Sequence, residues 1–218
     1  MNRKDDLRDA WSSLGIAFNV ETKKQIDPES AIIYLVQSDE FPDDKKMLSL
    51  ALLWLRHYAK LVHVERLKTL AKKLQPHHLA ILGGLASKCV AGGDHRWKTI
   101  TRFAKKNTSG QKFKIGDSQS YIKMRGLDLD FADFGIRIAP ILAEDEKKLL
   151  SRREILKRNH WLKYRILFGT NMRADIAAVI SLKLASTGYR AAKLLGCSFN
   201  TAYRNWNDLE EAGWPNIN

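Results

Sequence analysis

The stretch STGYRAAKLLGCSFNTAYRNWNDLEEAGW, residues 186–214, contains two short helical patterns separated by a glycine. Thr187 can cap the first helix, and Gly196 can end it because glycine adopts a left-handed turn at little cost. Ser198 then offers its hydroxyl as the N-cap of the second helix. The spacing predicts two helices joined by a tight turn. Their expected inner faces are Ala191, Ala192, Leu194 and Leu195 in the first helix and Ala202, Trp206 and Leu209 in the second.

The second of these helices also carries a row of hydrogen-bonding side chains on its outer face. A further apolar helix, RADIAAVISLKLA at residues 173–185, precedes the pair and has Ile176, Val179, Ile180 and Leu184 on one side. Three consecutive helices are therefore expected at this end of the sequence. The outward positions of the last one are Asn200, Thr201, Tyr203, Arg204, Asn205 and Asn207.

Residues 173–214 resemble the winged helix-turn-helix of bacterial transcription regulators. The resemblance is carried by the small residue Ala192 four positions before Gly196, by the turn itself, by the inward residues Ala202 and Trp206, and by the ending DLEEAGW. The sequence departs from this pattern at the wing, since only Trp214 to Asn218 follow the last helix. These residues cannot build a complete two-stranded wing, so a wing would be either rudimentary or supplied by another segment.

The resemblance implies that the last helix lies in the major groove of double-stranded DNA. Asparagine pairs bidentately with adenine and arginine with guanine, while Ser198, Thr201 and the amides of the helix N-terminus suit a phosphate. Arg173 and Lys183 are additional candidates near the backbone. A homodimer is a further expectation, because helix-turn-helix proteins often read two half-sites. The histidines lack metal-ligand spacing with cysteines or acids, so we expect no cofactor, no metal site and no catalytic residue. The expected DNA-binding residues are Arg190, Lys193, Ser198, Asn200, Thr201, Tyr203, Arg204, Asn205 and Asn207.

Composition agrees with a polyanionic partner. The 218 residues have a formal net charge of +13 and a pI near 9.8, which favours nucleic acid by long-range attraction. Residues 147–218 hold 13 Lys/Arg and 5 Asp/Glu, whereas residues 1–146 hold 24 Lys/Arg and 19 Asp/Glu.

The longest apolar runs are too short to span a bilayer, and the cysteines Cys89 and Cys197 have no disulfide-type spacing. These features predict a cytoplasmic, nucleoid-associated protein that has no membrane partner.

Most of the remaining sequence also has helical periodicity, so the predicted fold class is mostly α. Asp27-Pro28-Glu29 has the pattern of an N-cap, a proline at the first helical position and an acid in the first turn. Pro42-Asp43-Asp44 gives a similar start to the next helix. We predict a helical domain at 1–107, a linker or irregular segment at 108–143, and a basic helical region with the helix-turn-helix at 144–218.

Two other functions compete with DNA binding. The segment KIGDSQSYIKMRGLDLDF thinly resembles a nucleotidyltransferase motif, in which a Gly/Ser turn at Gly116 and Ser118 holds triphosphate. Asp128 and Asp130 on a strand would then bind two Mg²⁺ ions. Alternatively, the winged helix contacts a protein, as in an antitoxin-type autoregulator whose N-terminal domain holds a partner.

Overall fold

The structure is a computed structural model that describes residues 3–18, 25–38, 45–142 and 145–214. The fold within these residues is mostly helical, as the sequence predicts, with no strand and two isolated β-bridges. Three short 3-10 turns lie at Ala59–Leu61, His95–Trp97 and Glu146–Lys148. The α-helices are α1 (Arg3–Ser13), α2 (Pro28–Val36), α3 (Lys45–Tyr58), α4 (Val64–Ala71), α5 (Pro76–Ala91), α6 (Lys98–Thr108), α7 (Gln119–Arg125), α8 (Leu129–Ala132), α9 (Arg152–Arg158), α10 (His160–Phe168), α11 (Met172–Ser181), α12 (Gly188–Leu195) and α13 (Phe199–Glu211).

Local capping signals set several of these boundaries. Asp27 caps α2 by accepting a hydrogen bond from the Ser30 amide at 2.9 Å, and Pro28 occupies the first helical position. Both features are as the sequence predicts. The start predicted at Pro42-Asp43-Asp44 lies outside the described residues, and α3 is described from Lys45. No helix among the described residues is long and apolar enough to cross a membrane.

The larger hydrophobic core is built around α5. Gly83 and Gly84 leave room for two aromatic rings from the segment that was expected to be a linker. A Cβ on Gly83 would lie 2.5 Å from the Phe134 ring, and a Cβ on Gly84 would lie 2.4 Å from the Phe131 ring. Both rings are buried in the first core, together with Ile136. The segment 108–143 thus contains α7 and α8 and packs against the helices that precede it.

A second, smaller core is formed by α10 to α13. It contains Trp161, Ile176, Val179, Trp206 and Leu209, all buried. Helix α10 contributes to both cores, because its Leu162 belongs to the first. The side chain of Asn159 fixes the start of α10: it accepts from the Leu162 amide and donates to the backbone carbonyls of Ser13 and Ile26.

Buried charges connect the two cores. Arg165 on α10 is fully buried and donates to Glu29 at 2.7 and 2.8 Å and to Asp175 at 2.7 and 2.9 Å. Arg66 on α4 pairs with both carboxylates at the start of α2, Asp27 and Glu29. The carboxylates thus gain hydrogen bonds that offset the cost of burial. We call the set Asp27, Glu29, His63, Arg66, Arg165 and Asp175 the buried ion network.

His63 completes the buried ion network. Its amide donates to Glu29 at 2.7 Å, and its Nδ1 lies 2.9 Å from an Asp175 oxygen. Arg66 also reaches the backbone oxygen of Leu195 at the end of α12, with a 3.4 Å contact from its Nε. The network therefore ties α2 and α4 of the first core to α10, α11 and α12.

The network predicts loss of stability in acid. Burial alone would raise the pKa of Asp27, but the charges of Arg66 and Arg165 and the hydrogen bonds from Arg66 and Ser30 together hold that pKa well below the ordinary 3.8. Burial also raises the pKa of Asp175 and the Arg165 charge lowers it, and the net effect is a lowered pKa. Carboxylates with a lowered folded-state pKa stabilise the fold above their unfolded value and lose that contribution as pH falls. We expect the free energy of unfolding, measured in urea, to fall from about pH 5 downward.

Asp27→Asn provides the comparison for this prediction. The variant is expected to be less stable than the wild type at neutral pH, and to lose less stability between about pH 5 and pH 3. Parallel pH profiles for the two proteins would show that Asp27 does not carry the effect.

Candidate nucleic-acid interface

Three consecutive helices, α11, α12 and α13, pack against one another, and the first of them is α11. Asn171 caps this helix by accepting from the Ala174 amide at 3.1 Å. Helix α11 ends at Ser181, four residues before the predicted end at 185, and Leu184 is exposed instead of facing inward. The reason is a closing turn in which the Leu184 amide donates to the Val179 carbonyl and Lys183 adopts φ 54°. This is the left-handed position that usually ends a helix at glycine.

Helix α12 lies close to α13 at its first residue, Gly188. A Cβ there would lie 3.2 Å from the Tyr203 Cα and 3.4 Å from the Trp206 Cβ. Thr187 caps the helix through the Arg190 amide at 3.2 Å, as the sequence predicts. Ala192, the small residue expected before the turn, is also buried, whereas the packing role of Gly188 is not evident from the sequence because a glycine beside a cap is typical of turns.

The turn between α12 and α13 has the expected geometry. Gly196 adopts φ 67° and ψ 30°, and its amide donates to the Ala192 carbonyl. Ser198 accepts from the Thr201 amide at 3.1 Å and lies 2.7 Å from the Thr201 hydroxyl. Burial raises the pKa of the Cys197 thiol, so the turn carries no thiolate at neutral pH.

Helix α13 has a buried side and an exposed side. Ala202, Trp206 and Leu209 are buried in the second core, as predicted. The polar positions predicted to face outward are all accessible to some degree, and the structure brings them together on one helix. Asn200, Thr201, Tyr203 and Arg204 are exposed, whereas Asn205 and Asn207 are half-buried.

Arg204 is the exposed cation at the centre of α13. It forms no ion pair with a described carboxylate and lines a groove of about 670 Å³ between α13 and the start of α11. Asn200 and Thr201 line the same groove. An unpaired guanidinium beside an amide and a hydroxyl is suited to hydrogen bonding with base edges or phosphates.

Other polar groups of this surface already have partners within the chain. The Asn205 amide nitrogen donates to the Thr201 carbonyl at 2.8 Å, and its oxygen accepts from the Arg173 Nε at 3.3 Å. Arg173 also pairs with Asp208, so its charge is largely compensated. Lys193 and Arg190 are exposed on α12, and Arg190 donates to the Ser186 hydroxyl at 3.3 Å.

Exposed apolar side chains lie beside the polar row. Phe199 stacks on Tyr203 with ring centroids 5.4 Å apart, and Tyr189 lies 6.2 Å from Phe199. Leu194, expected on the inner face of α12, is 49 % exposed. Helical geometry turns this side chain away from the second core, where its neighbours Ala191 and Leu195 are buried. Sequence reasoning missed Tyr189 and Phe199, although both are near the polar row in sequence.

The segment after α13 returns to the second core. Trp214 packs edge-on against Tyr164 and Phe168, with ring centroids 5.0 and 5.3 Å away, and its Nε1 approaches the Ala177 carbonyl at 3.4 Å. This aromatic contact closes the three-helix arrangement at the position where a wing would begin. Residues 215–218 lie outside the described part of the chain.

The nucleotidyltransferase-like residues have a different geometry from the one that the motif requires. Asp128 caps α8 and Asp130 lies in its first turn, so neither is on a strand. The Lys88 Nζ lies 2.8 Å from an Asp128 oxygen and 2.9 Å from an Asp130 oxygen. Gly116 forms a β-bridge with Arg137, and Ser118 caps α7. Among the described residues no group of three or more His, Cys, Asp or Glu side chains is arranged to hold a metal ion.

Comparisons of the chain with protein-family models, curated proteins and solved structures find no match. The function is therefore inferred from the geometry and the charges of α11, α12 and α13.

Proposed function

We propose that the protein binds double-stranded DNA through α13 and acts as a transcription regulator. The observation that supports this most directly is the exposed, unpaired Arg204, flanked by Asn200 and Thr201 on a helix whose opposite face is buried. A helix held in this way presents its polar side chains at fixed positions, which base recognition in the major groove requires.

The ends of the helices support the same proposal. Ser198 uses its hydroxyl to cap α13, so the remaining amides of the first turn stay available for a phosphate. Lys193 and Arg190 add positive charge on the preceding helix. We propose that these groups fix the position of the protein on the backbone while α13 reads the bases. A homodimer on two half-sites and a nucleoid location belong to this proposal.

Arg204→Ala tests the proposal. Duplexes bound by the wild type are first selected from random DNA, and their affinity is then measured by fluorescence anisotropy. Loss of a base-contacting arginine is expected to weaken binding by about 1–3 kcal/mol and to relax the preference at one base position. Lys157→Ala serves as the control, because it removes one exposed charge outside the helix-turn-helix. Recovery of no preferred sequence, or equal affinity of both variants, would contradict base reading by Arg204.

Protein contact is the second candidate function for this surface. The exposed row of Tyr189, Phe199 and Tyr203 favours it, because aromatic side chains are enriched where proteins bind one another. An antitoxin-like regulator with a partner protein on the N-terminal helices would combine both functions. Changing Phe199 to Ala distinguishes them: loss of a co-purifying protein with unchanged DNA affinity would favour protein contact.

A further inference from the structure

A second cationic surface lies on α6 and the segment that follows it. Residues 98–114 contain six Lys/Arg and no Asp/Glu, while the rest of residues 1–146 contains 18 Lys/Arg and 19 Asp/Glu. The positive charge of the N-terminal two thirds of the chain is therefore concentrated in this one segment. We call its cations Lys98, Arg102, Lys105, Lys106, Lys112 and Lys114 the α6 basic surface.

Helix α6 directs its cations toward solvent because its apolar side is used in the first core. Ile100 and Ala104 are fully buried, and the helix packs along α5. Lys98, Arg102, Lys105 and Lys106 are exposed and recur at intervals of three to four residues, which places them on one side of the helix. From Lys98 to Lys106 this row extends about 12 Å.

The segment after α6 continues the same pattern. Phe113 and Ile115 are half-buried against the first core, and the Phe113 amide donates to the Gly135 carbonyl at 3.1 Å. Lys112 and Lys114, at the intervening positions, are exposed. Since Phe113 and Ile115 contact the core while both lysines are exposed, the two positive charges face solvent.

Little of this charge is neutralised within the described chain. Lys105 lies 3.7 Å from Asp133, but both side chains are about two thirds exposed, so the pair contributes little. The other five cations form no ion pair with a described carboxylate. Unpaired positive charges in a row on a rigid helix are suited to a regular array of negative charges, such as that of a nucleic-acid backbone.

We infer that the α6 basic surface binds the phosphate backbone of double-stranded DNA, separately from α13 and without reading sequence. A membrane surface fits less well, because α6 exposes no large apolar side chain that could enter lipid. A single strand fits less well because α6 exposes no tyrosine or tryptophan for base stacking. The cationic surface is observed independently of the proposed function. The choice of double-stranded DNA over double-stranded RNA as its ligand rests on that function.

The salt dependence of binding tests this inference. The variant combines Lys98→Gln, Arg102→Gln and Lys106→Gln, and the matched control combines Lys147→Gln, Arg153→Gln and Lys157→Gln, which removes the same charge from other exposed positions. Affinity for a random-sequence duplex is measured between about 50 and 200 mM salt. Loss of three phosphate contacts is expected to reduce the slope of log K against log salt by about 2–3 and to weaken binding roughly tenfold or more at the lower salt.

The control and Arg204→Ala separate this inference from the proposed function. If α13 does not bind DNA, Arg204→Ala leaves duplex binding unchanged, and the three-residue α6 variant still weakens it. Equal slopes for the α6 variant and its control, with both proteins folded, would overturn the inference. Preferential binding to double-stranded RNA, to single-stranded DNA or to phosphatidylserine vesicles, abolished in the α6 variant, would also overturn it.

Discussion

Arg165→Met is expected to lower the free energy of unfolding by about 3–5 kcal/mol, because it leaves buried carboxylates without their main partner. The wild-type guanidinium donates four hydrogen bonds to Glu29 and Asp175 and a fifth to the Leu61 carbonyl at 2.7 Å. Methionine fills a similar volume but carries no donor. Urea denaturation at neutral pH measures the loss.

Lys163→Met is the matched control, since Lys163 lies on the same helix and is exposed. We expect its effect to stay within about 0.5 kcal/mol. A second variant tests the physical cause: Asp175→Asn should destabilise the wild type, yet restore about 1 kcal/mol or more when added to Arg165→Met. If Asp175→Asn destabilises the wild type and Arg165→Met equally, an unpaired buried carboxylate is not the reason why Arg165→Met loses stability.

Trp206→Ala is expected to cost about 3–5 kcal/mol, which is typical of removing a buried aromatic side chain. Trp206 is 7 % exposed and lies in the second core, and its Cβ is close to Gly188 where α12 and α13 pack together. Removal of this side chain should loosen α13 and abolish the proposed DNA binding. Thermal denaturation followed by far-ultraviolet circular dichroism measures the loss of stability, and fluorescence anisotropy measures the loss of DNA binding.

Tyr203→Ala provides the comparison on the same helix. Tyr203 is 52 % exposed, so its removal should leave the melting temperature almost unchanged. Reduced DNA affinity without reduced stability would place Tyr203 at the interface. If instead Trp206→Ala retains full stability, the second core does not depend on the contact between α12 and α13.

Sequence reasoning succeeded where a structure depends on residues close together in the chain. The caps at Asp27, Thr187 and Ser198 and the turn at Gly196 each involve an interaction within a few residues, so the pattern alone identifies them. The inward positions of α13 follow from helical periodicity for the same reason.

Interactions between distant parts of the sequence could not be predicted in this way. Glu29 has the pattern of an ordinary first-turn acid, but its Arg165 partner is 136 residues away. The aromatic rings Phe131 and Phe134 lie in a segment with a loop-like composition, yet they dock onto the paired glycines of α5. Such contacts depend on the tertiary arrangement, which no local pattern encodes.

The candidate site shows the same division. The accessible positions Asn200 and Arg204 follow from helical geometry, whereas the hydrogen bond that Asn205 accepts requires Arg173 from a helix that begins 33 residues earlier in the chain. The α6 basic surface is not evident from the overall charge of residues 1–146, because acids elsewhere in that span offset a segment that contains no acid.

The buried ion network also constrains how the protein is made on the ribosome. When the nascent polypeptide has emerged as far as residue 160, Asp27 and Glu29 have only Arg66 as a guanidinium partner. The pairing is completed only after α10 has been synthesised, so the early helices cannot reach their final arrangement as an independent unit. Translation that stops before Arg165 should therefore release a product that proteases degrade rapidly.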